Sequence, residues 1–299
     1  MGENRPVEIA GAVKKPASQV ILLFLSIFPI GFDYWLARIL AFIAIHTSNR
    51  ISGPTEKNIQ LCLAKLPASQ QQYLGRTSIR HTGYSLFELA AVWCWPVDKI
   101  LSRVSSEKVC EEFNQSSKGR LIIAPHIGSW ELLGIRIANN SELFSLYKPH
   151  KNPKIDAFVR QARSRNGAQL VPTDPSGLRK LMKGLKRGAT VIILPDQKPH
   201  RGSAYVDSTY FGQAAATTPL IKHICDRVEC DVFIGAMYRE ENSATYNLSI
   251  DTMDHGRLTA AETDSAQYLN DVIEAMVRSH PDQYQWSYKR FNPTVYDLL

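Results

Sequence analysis

The segment Pro125-His126-Ile127-Gly128-Ser129-Trp130-Glu131 places an imidazole and a carboxylate five positions apart. At about 100° per residue, two such positions do not share a face of one continuous helix. The histidine is therefore expected in a turn and the glutamate in the first turn of a following helix, with Gly128 tightening the turn and Ser129 capping the helix. From there the Glu131 carboxylate is expected to reach back to Nδ1 of His126 and fix its tautomer. Nε2 is then a general base, a role worth roughly 10² to 10⁴ in rate. Such a base activates a hydroxyl directly, without a serine or cysteine nucleophile. Taken alone, the spacing also fits an ordinary hydrogen-bonded pair.

The elements around this segment follow from periodicity. The run Leu121 to Ala124 is short and unbroken, as in a strand buried on both faces, and a helical stretch from Ser129 to Ala138 follows it. Thr190 to Leu194 repeats the pattern after a helical Gly177 to Leu185, and Val232 to Ala236 repeats it after Thr218 to Asp226, where Thr217 and Thr218 are expected to cap. Strands alternating with helices predict βαβ crossovers and a single α/β domain with a largely parallel central sheet flanked by helices. His126 then lies just past a strand's carboxyl end, where open α/β sheets place their ligands. Asp196 and Gln197 follow the Thr190 strand to the same edge, either as ligand contacts or as a structural turn. Lys148, Lys151, Lys198 and Arg201 fall near that edge in the sequence, suited to phosphates or to an acidic carrier. Upstream, Thr55 to Val92 reads as helices separated at Pro67, and Ala91 to Pro96, AVWCWP, reads as a core plug or a groove lining.

The first fifty residues differ from the rest. Val20 to Ile45 is long enough to span a hydrocarbon core, which takes about 20 apolar residues as a helix. Asp33 and Arg38 interrupt it, each at roughly 2.5 to 3.5 kcal/mol if placed at the bilayer centre. Pro29 and Gly31 invite a break, and Phe32, Tyr34 and Trp35 suit a headgroup boundary. The expectation is a kinked or hairpin-like membrane anchor over residues 1–50, followed by a catalytic domain over 51–299. Lys14 and Lys15 ahead of the run also fit a signal peptide, but no small-residue cleavage site follows cleanly.

With 44% hydrophobic and 21% charged residues in 299, the composition is neither that of a disordered chain nor that of a multi-span membrane protein. The net charge of +7 favours an anionic partner, whether membrane, acidic carrier protein or nucleic acid. Five cysteines, Cys62, Cys94, Cys110, Cys225 and Cys230, without a CxxC pair, read as reduced and structural in a cytosolic setting.

The motifs narrow these options. APHIGSWEL after an apolar strand resembles the catalytic block of the lysophospholipid acyltransferase superfamily, and more closely its late lipid A biosynthesis branch of lauroyl and myristoyl acyltransferases. Further blocks follow in the family's order: YKPHKNP leading to QARSRNG, LKRGATVIILPDQKPHRG, STYFGQAAATTPL and HPDQYQWSYKRF. The resemblance spans about Asn58 to Phe291. Departures from the pattern are Ser129, Lys148, Ala162 and Tyr210.

The resemblance implies transfer of a fatty acyl chain from acyl carrier protein, or from acyl coenzyme A, to a hydroxyl of a lipid A precursor at the cytoplasmic face of the inner membrane. It implies no cofactor, no metal and no nucleic acid. It marks His126 and Glu131 as catalytic, Arg163 as the candidate oxyanion donor or phosphate clamp, and Lys148, Asn152, Asp196, Gln197, Lys198 and Arg201 as substrate contacts. An acyltransferase for another lysolipid or glycolipid is the near alternative. A metal-dependent hydrolase built on His126, Glu131, His150, Asp196 and His200 lacks ligand spacing on any helix. A non-enzymatic membrane adaptor would treat the His–Glu pair as packing.

Overall fold

The computed structural model describes residues 17–47, 49–240 and 244–297; Lys14 and Lys15, with the rest of 1–16, lie outside these. The described chain opens with α1 (Ala17–Leu25), α2 (Ile30–Ile45), α3 (Ser52–Cys62), α4 (Ala68–Phe87), α5 (Leu89–Cys94) and α6 (Val97–Leu101). Strands then alternate with helices: β1 (Val104–Val109), α7 (Glu111–Gln115), β2 (Gly119–Ile123), α8 (Trp130–Ala138), β3 (Leu143–Tyr147), α9 (Pro153–Ser164) and β4 (Gln169–Pro172). Next come α10 (Pro175–Lys186), β5 (Thr190–Ile193), β6 (Val206–Tyr210), β7 (Gln213–Thr217), α11 (Leu220–Cys225), β8 (Cys230–Arg239) and β9 (Tyr246–Thr252). Helices α12 (His255–Leu258), α13 (Glu262–Ser279) and α14 (Pro293–Tyr296) close it.

Seven strands form one sheet in the order β1-β9-β8-β2-β5-β3-β4, and β6 and β7 form a separate antiparallel hairpin. Only β8 and β9 pair antiparallel in the main sheet; the other neighbours are parallel, as expected from the alternation. The three apolar runs read from the sequence are its central neighbours β8, β2 and β5. Their residues alternate between two cores. Leu121, Ile123, Val191, Ile193, Val232 and Ile234 face one side, while Ile122, Ile192 and Phe233 face the other.

The N-terminal apolar run is broken rather than continuous. Pro29 stands at the N-cap of α2 in extended backbone, so α1 and α2 are two helices. Among the described residues no helix is long and apolar enough to cross a membrane. Ile30, Tyr34, Ala37 and Ala41 form the buried stripe of α2 at helical spacing. Tyr34 stacks on Tyr84 of α4 with ring centroids 4.3 Å apart. Ile30, Tyr34 and Ala37 thus share a core with Ile122 and Phe233 of the sheet.

Candidate functional site

Strands β2 and β5 pair in parallel with Ile123 opposite Ile193, so both chains leave the sheet at the same level. Beyond them His126 and Asp196 meet. The ring Nδ1 lies 2.8 Å from Asp196 Oδ1, and the backbone N–H of His126 donates to Asp196 Oδ2 at 3.0 Å. The Asp196 side chain is only 2% exposed and that of His126 17%. Burial opposes ionisation of Asp196, but the His126 charge, its ring and its backbone N–H together hold the carboxyl below the usual range. The amide Nε2 of Gln197 approaches His126 Nε2 at 3.3 Å. With Nδ1–H donating to Asp196, Nε2 is the acceptor left for a substrate proton.

This corrects the expected His126–Glu131 contact. Glu131 does sit in the first turn of α8, but its carboxylate takes two hydrogen bonds from Arg163, of which Nε to Oε2 is 3.0 Å, and one from Trp93 Nε1 at 3.1 Å. The helix carries Glu131 toward α9 instead of back over the turn. Ser129 occupies the N-cap position without making a side-chain cap, and its hydroxyl is buried without a partner. Its N–H instead donates to Met237 O at 2.7 Å.

The turn that carries His126 is clamped from two directions. Gly128 has φ of 58°, and an added Cβ would lie 2.1 Å from Met237 O, so both backbone and space demand glycine. The C-terminal segment contributes Gln283, whose carbonyl accepts from Gly128 N–H at 3.2 Å, and Gln285, whose N–H donates to His126 O at 3.0 Å. Arg239 Nη2 donates to Gly128 O at 2.9 Å, while Nε donates to Glu88 Oε2 at 2.9 Å. Tyr34 and Tyr246 hydroxyls complete the buried Glu88 site. In the sequence this clamp is carried by the HPDQYQW block, which supplies Gln283 and Gln285.

Two clefts meet at His126. The larger, about 440 Å³, runs between α8 and the sheet and is walled by Gly134, Ile135, Leu143, Leu146, Leu170, Ile192 and Leu194. The second, about 310 Å³, reaches the same ring past Thr82, Ser85, Leu86, Gln283 and Gln285. Trp93, Trp130, Glu131, Arg163 and Gln197 line both. The two tryptophans of AVWCWP thus divide, with Trp93 in the groove and Trp95 buried, its Nε1 donating to Ser26 O. Burial works against the Arg163 charge, but the Glu131 carboxylate more than restores it, raising the guanidinium above its ordinary value.

Of the other candidates, Lys148 and Lys198 line the larger cleft, and Lys198 Nζ donates to Asn292 Oδ1. Lys151 and Arg201 are exposed and line neither cleft. Asn152 is exposed and caps α9 by accepting from Lys154 N–H, which occupies the side chain expected to meet substrate. Thr218 Oγ1 accepts from Leu220 N–H at 3.3 Å, whereas Thr217 bonds Asn270 and Arg290 instead of capping. Among the described residues no three of His, Cys, Asp and Glu gather as a metal site; His150 Nδ1 accepts from Asn152 N–H. All five cysteines are free.

Fold and site define the class: a single α/β domain with a carboxylate-oriented imidazole over a largely apolar cleft at the carboxyl edge of a mainly parallel sheet. Residues 17–292 match the model of the bacterial lipid A biosynthesis acyltransferases, and the chain belongs to that family. It is an acyltransferase. Similar proteins include the lipid A biosynthesis palmitoleoyltransferase of Escherichia coli (strain K12), 25% identical over 79% of this chain and 76% of that one. The lipid A biosynthesis lauroyltransferase of the same organism is 23% identical over 83% and 81%. Among solved structures, the 1-acyl-sn-glycerophosphate (LPA) acyltransferase PlsC from Thermotoga maritima aligns at 14% identity with a TM-score of 0.37, covering 75% of this chain and 97% of that one.

Proposed function

We propose that the chain transfers a fatty acyl group from a thioester, carried by acyl carrier protein or coenzyme A, to a hydroxyl of a lipid A precursor at the cytoplasmic face of the inner membrane. The observation that carries this reading is the meeting of two clefts at one oriented imidazole. The cleft walled by Ile135, Leu143, Leu146 and Ile192 suits the acyl chain, and the one passing Thr82, Ser85, Gln283 and Gln285 the acceptor. Family membership and the names of the relatives supply the lipid A acceptor.

In this mechanism the acceptor hydroxyl displaces the Gln197 amide and donates to His126 Nε2. As Nε2 takes the proton, the oxygen attacks the thioester carbonyl, and the negative charge moves onto the carbonyl oxygen beside Arg163. Collapse breaks the carbon–sulfur bond, and the imidazolium returns its proton to the leaving thiolate. Asp196 holds the ring in the required tautomer and offsets its transient charge. Glu131 acts as a positioning residue, fixing the Arg163 guanidinium through paired hydrogen bonds. Lys148 and Lys198 at the mouth offer cations to phosphates or to an acidic carrier.

Residues 1–50 serve as the membrane seat and 51–299 as the catalytic part. Among the described residues, nine of the twelve exposed large hydrophobics lie in α1, α2 and their connection, from Val20 to Ile43. Such a face, backed by a buried stripe on the same helix, suits a hairpin lying in the interface rather than a span. Leu86 of α4, also exposed, stands at the second cleft.

The test is transfer by purified protein in detergent from acyl carrier protein thioesters to a hydroxylated lipid A precursor, read by mass spectrometry. His126→Ala should lower kcat by at least about 10². No transfer from any thioester donor by folded wild-type protein would refute the reading.

A further inference from the structure

A third pocket, of about 230 Å³, opens between α2 and α4. Its walls carry three guanidinium groups, Arg38, Arg80 and Arg239, with Trp35 and Tyr73 among its aromatic lining. Arg38 uses Nε on Tyr84 OH at 2.8 Å, and Arg80 uses Nη2 on Thr77 Oγ1 at 3.3 Å; neither has any other hydrogen bond among the described residues. Arg239 is 4% exposed, and its Nη1 is buried with no hydrogen-bond partner. Arg239 is already paired with buried Glu88, so the cations that face the pocket without a carboxylate are Arg38 and Arg80.

We propose that this pocket binds the phosphate of an anionic glycerophospholipid headgroup in the bilayer. Guanidinium forks match phosphate oxygens in pairs, and basic pockets between membrane-seated helices bind lipid headgroups. Trp35, 54% exposed, lies on the same helix as exposed Ile39 and Phe42, which puts the pocket beside the apolar face at headgroup level. The pocket's acid, Glu240, accepts hydrogen bonds from Ser105 and Thr245 hydroxyls, and Arg239 is paired with Glu88. Arg38 and Arg80 have no carboxylate partner within ion-pair distance among the described residues, so the pocket keeps an excess of positive charge. The bulk bilayer is the source favoured over a soluble phosphate because the mouth adjoins exposed apolar side chains. The inference rests on the membrane seat proposed for α1 and α2.

The experiment is flotation of the full chain with vesicles of phosphatidylcholine alone or with one-fifth phosphatidylglycerol, at fixed ionic strength. Arg38→Gln with Arg80→Gln should reduce the preference for anionic vesicles by at least about 10-fold, since each arginine near an anionic surface is worth roughly fivefold. Arg38→Lys with Arg80→Lys keeps the charge but loses the fork, and should still reduce the preference by about fivefold. The single Arg80→Lys, whose only lost hydrogen bond is to Thr77, should move in the same direction and guards against misfolding of the double variants. A Lys double variant with the wild-type preference overturns the site and leaves only diffuse charge. Inorganic phosphate that binds wild-type protein and is lost in the glutamine double variant, while the vesicle preference is unchanged, overturns the lipid source in favour of a soluble anion. Wild-type protein that binds both vesicles equally overturns the headgroup site alone. If it binds neither, the membrane seat falls as well. Acyl transfer to a detergent-dispersed acceptor should stay within about twofold in the lysine variants, which separates this outcome from the proposed reaction.

Discussion

Replacing Asp196 by asparagine keeps the shape of the side chain and changes one property, the balance of donors and acceptors facing His126. The carboxylate now receives two hydrogen bonds from that residue, one from the ring at Nδ1 and one from the backbone N–H. An asparagine offers one oxygen and one NH₂. The backbone N–H can only donate, so the oxygen stays with it and the NH₂ faces Nδ1. Nδ1 must then accept, which moves the ring proton to Nε2 and removes the base from the side where Gln197 and the clefts lie. A wrong-tautomer substitution of this kind costs about 10⁴ in a serine protease triad. A fall in kcat of about 10³ to 10⁴ is expected here, equivalent to a barrier rise of roughly 4 to 5 kcal/mol at about 1.4 kcal/mol per decade. Glu131→Gln keeps an oxygen for Arg163 and should cost only about 10-fold. Single-turnover transfer in detergent, with enzyme in excess over the lipid acceptor and the thioester saturating, measures both without interference from product release. If Asp196→Asn stays within tenfold of wild type while Glu131→Gln falls by 10³, Glu131 is the working partner of the imidazole and the argument from the Asp196 geometry is wrong.

A Cβ on Gly134 would meet no atom within 4 Å, and this residue lines the apolar cleft, so Gly134→Leu should fold normally and shorten the preferred acyl chain. At about 0.8 kcal/mol per excluded CH₂, a two-carbon shift in the kcat/KM optimum across a thioester series is expected; an unchanged optimum would place the chain elsewhere. Arg239→Met strands Glu88, 3% exposed, as an unpaired buried charge and should destabilise by about 3 to 5 kcal/mol in denaturant unfolding, with Arg239→Met/Glu88→Met recovering much of the loss. Phe24→Glu with Phe42→Glu should move protein from the membrane to the soluble fraction, and full retention would place the anchor elsewhere. Burial raises the Asp33 carboxyl to about 7. Because the folded-state value is raised, its contribution is greatest below about pH 4 and is lost as pH rises toward 7. Asp33→Asn should therefore raise the melting temperature at pH 8 relative to wild type and show little difference at pH 4; the opposite order would show a charged partner for Asp33.

The central strands were legible because β2, β5 and β8 are buried on both faces and so read as unbroken apolar runs. The polar edge strand β1, VSSEKV, is mostly exposed and carries no such run, so it could not be recognised without its neighbour β9. The break at Pro29 followed from proline chemistry alone, and the position of His126 past a strand end followed from the switch in periodicity. What spacing could not decide was the partner of the imidazole. Five residues of chain allow Glu131 to return to His126 or to turn away, and local geometry does not choose between them. The pairing of β2 with β5 chooses. Ile123 lies opposite Ile193, so residues three beyond each arrive together, and Asp196, seventy positions away, takes the ring while Glu131 is left to Arg163 on α9. The clamp on Gly128 depends in the same way on β8 and the C-terminal segment arriving at one turn. Residue types and local periodicity set which groups stand at the sheet edge; parallel register, a contact between distant segments, set which of them touch.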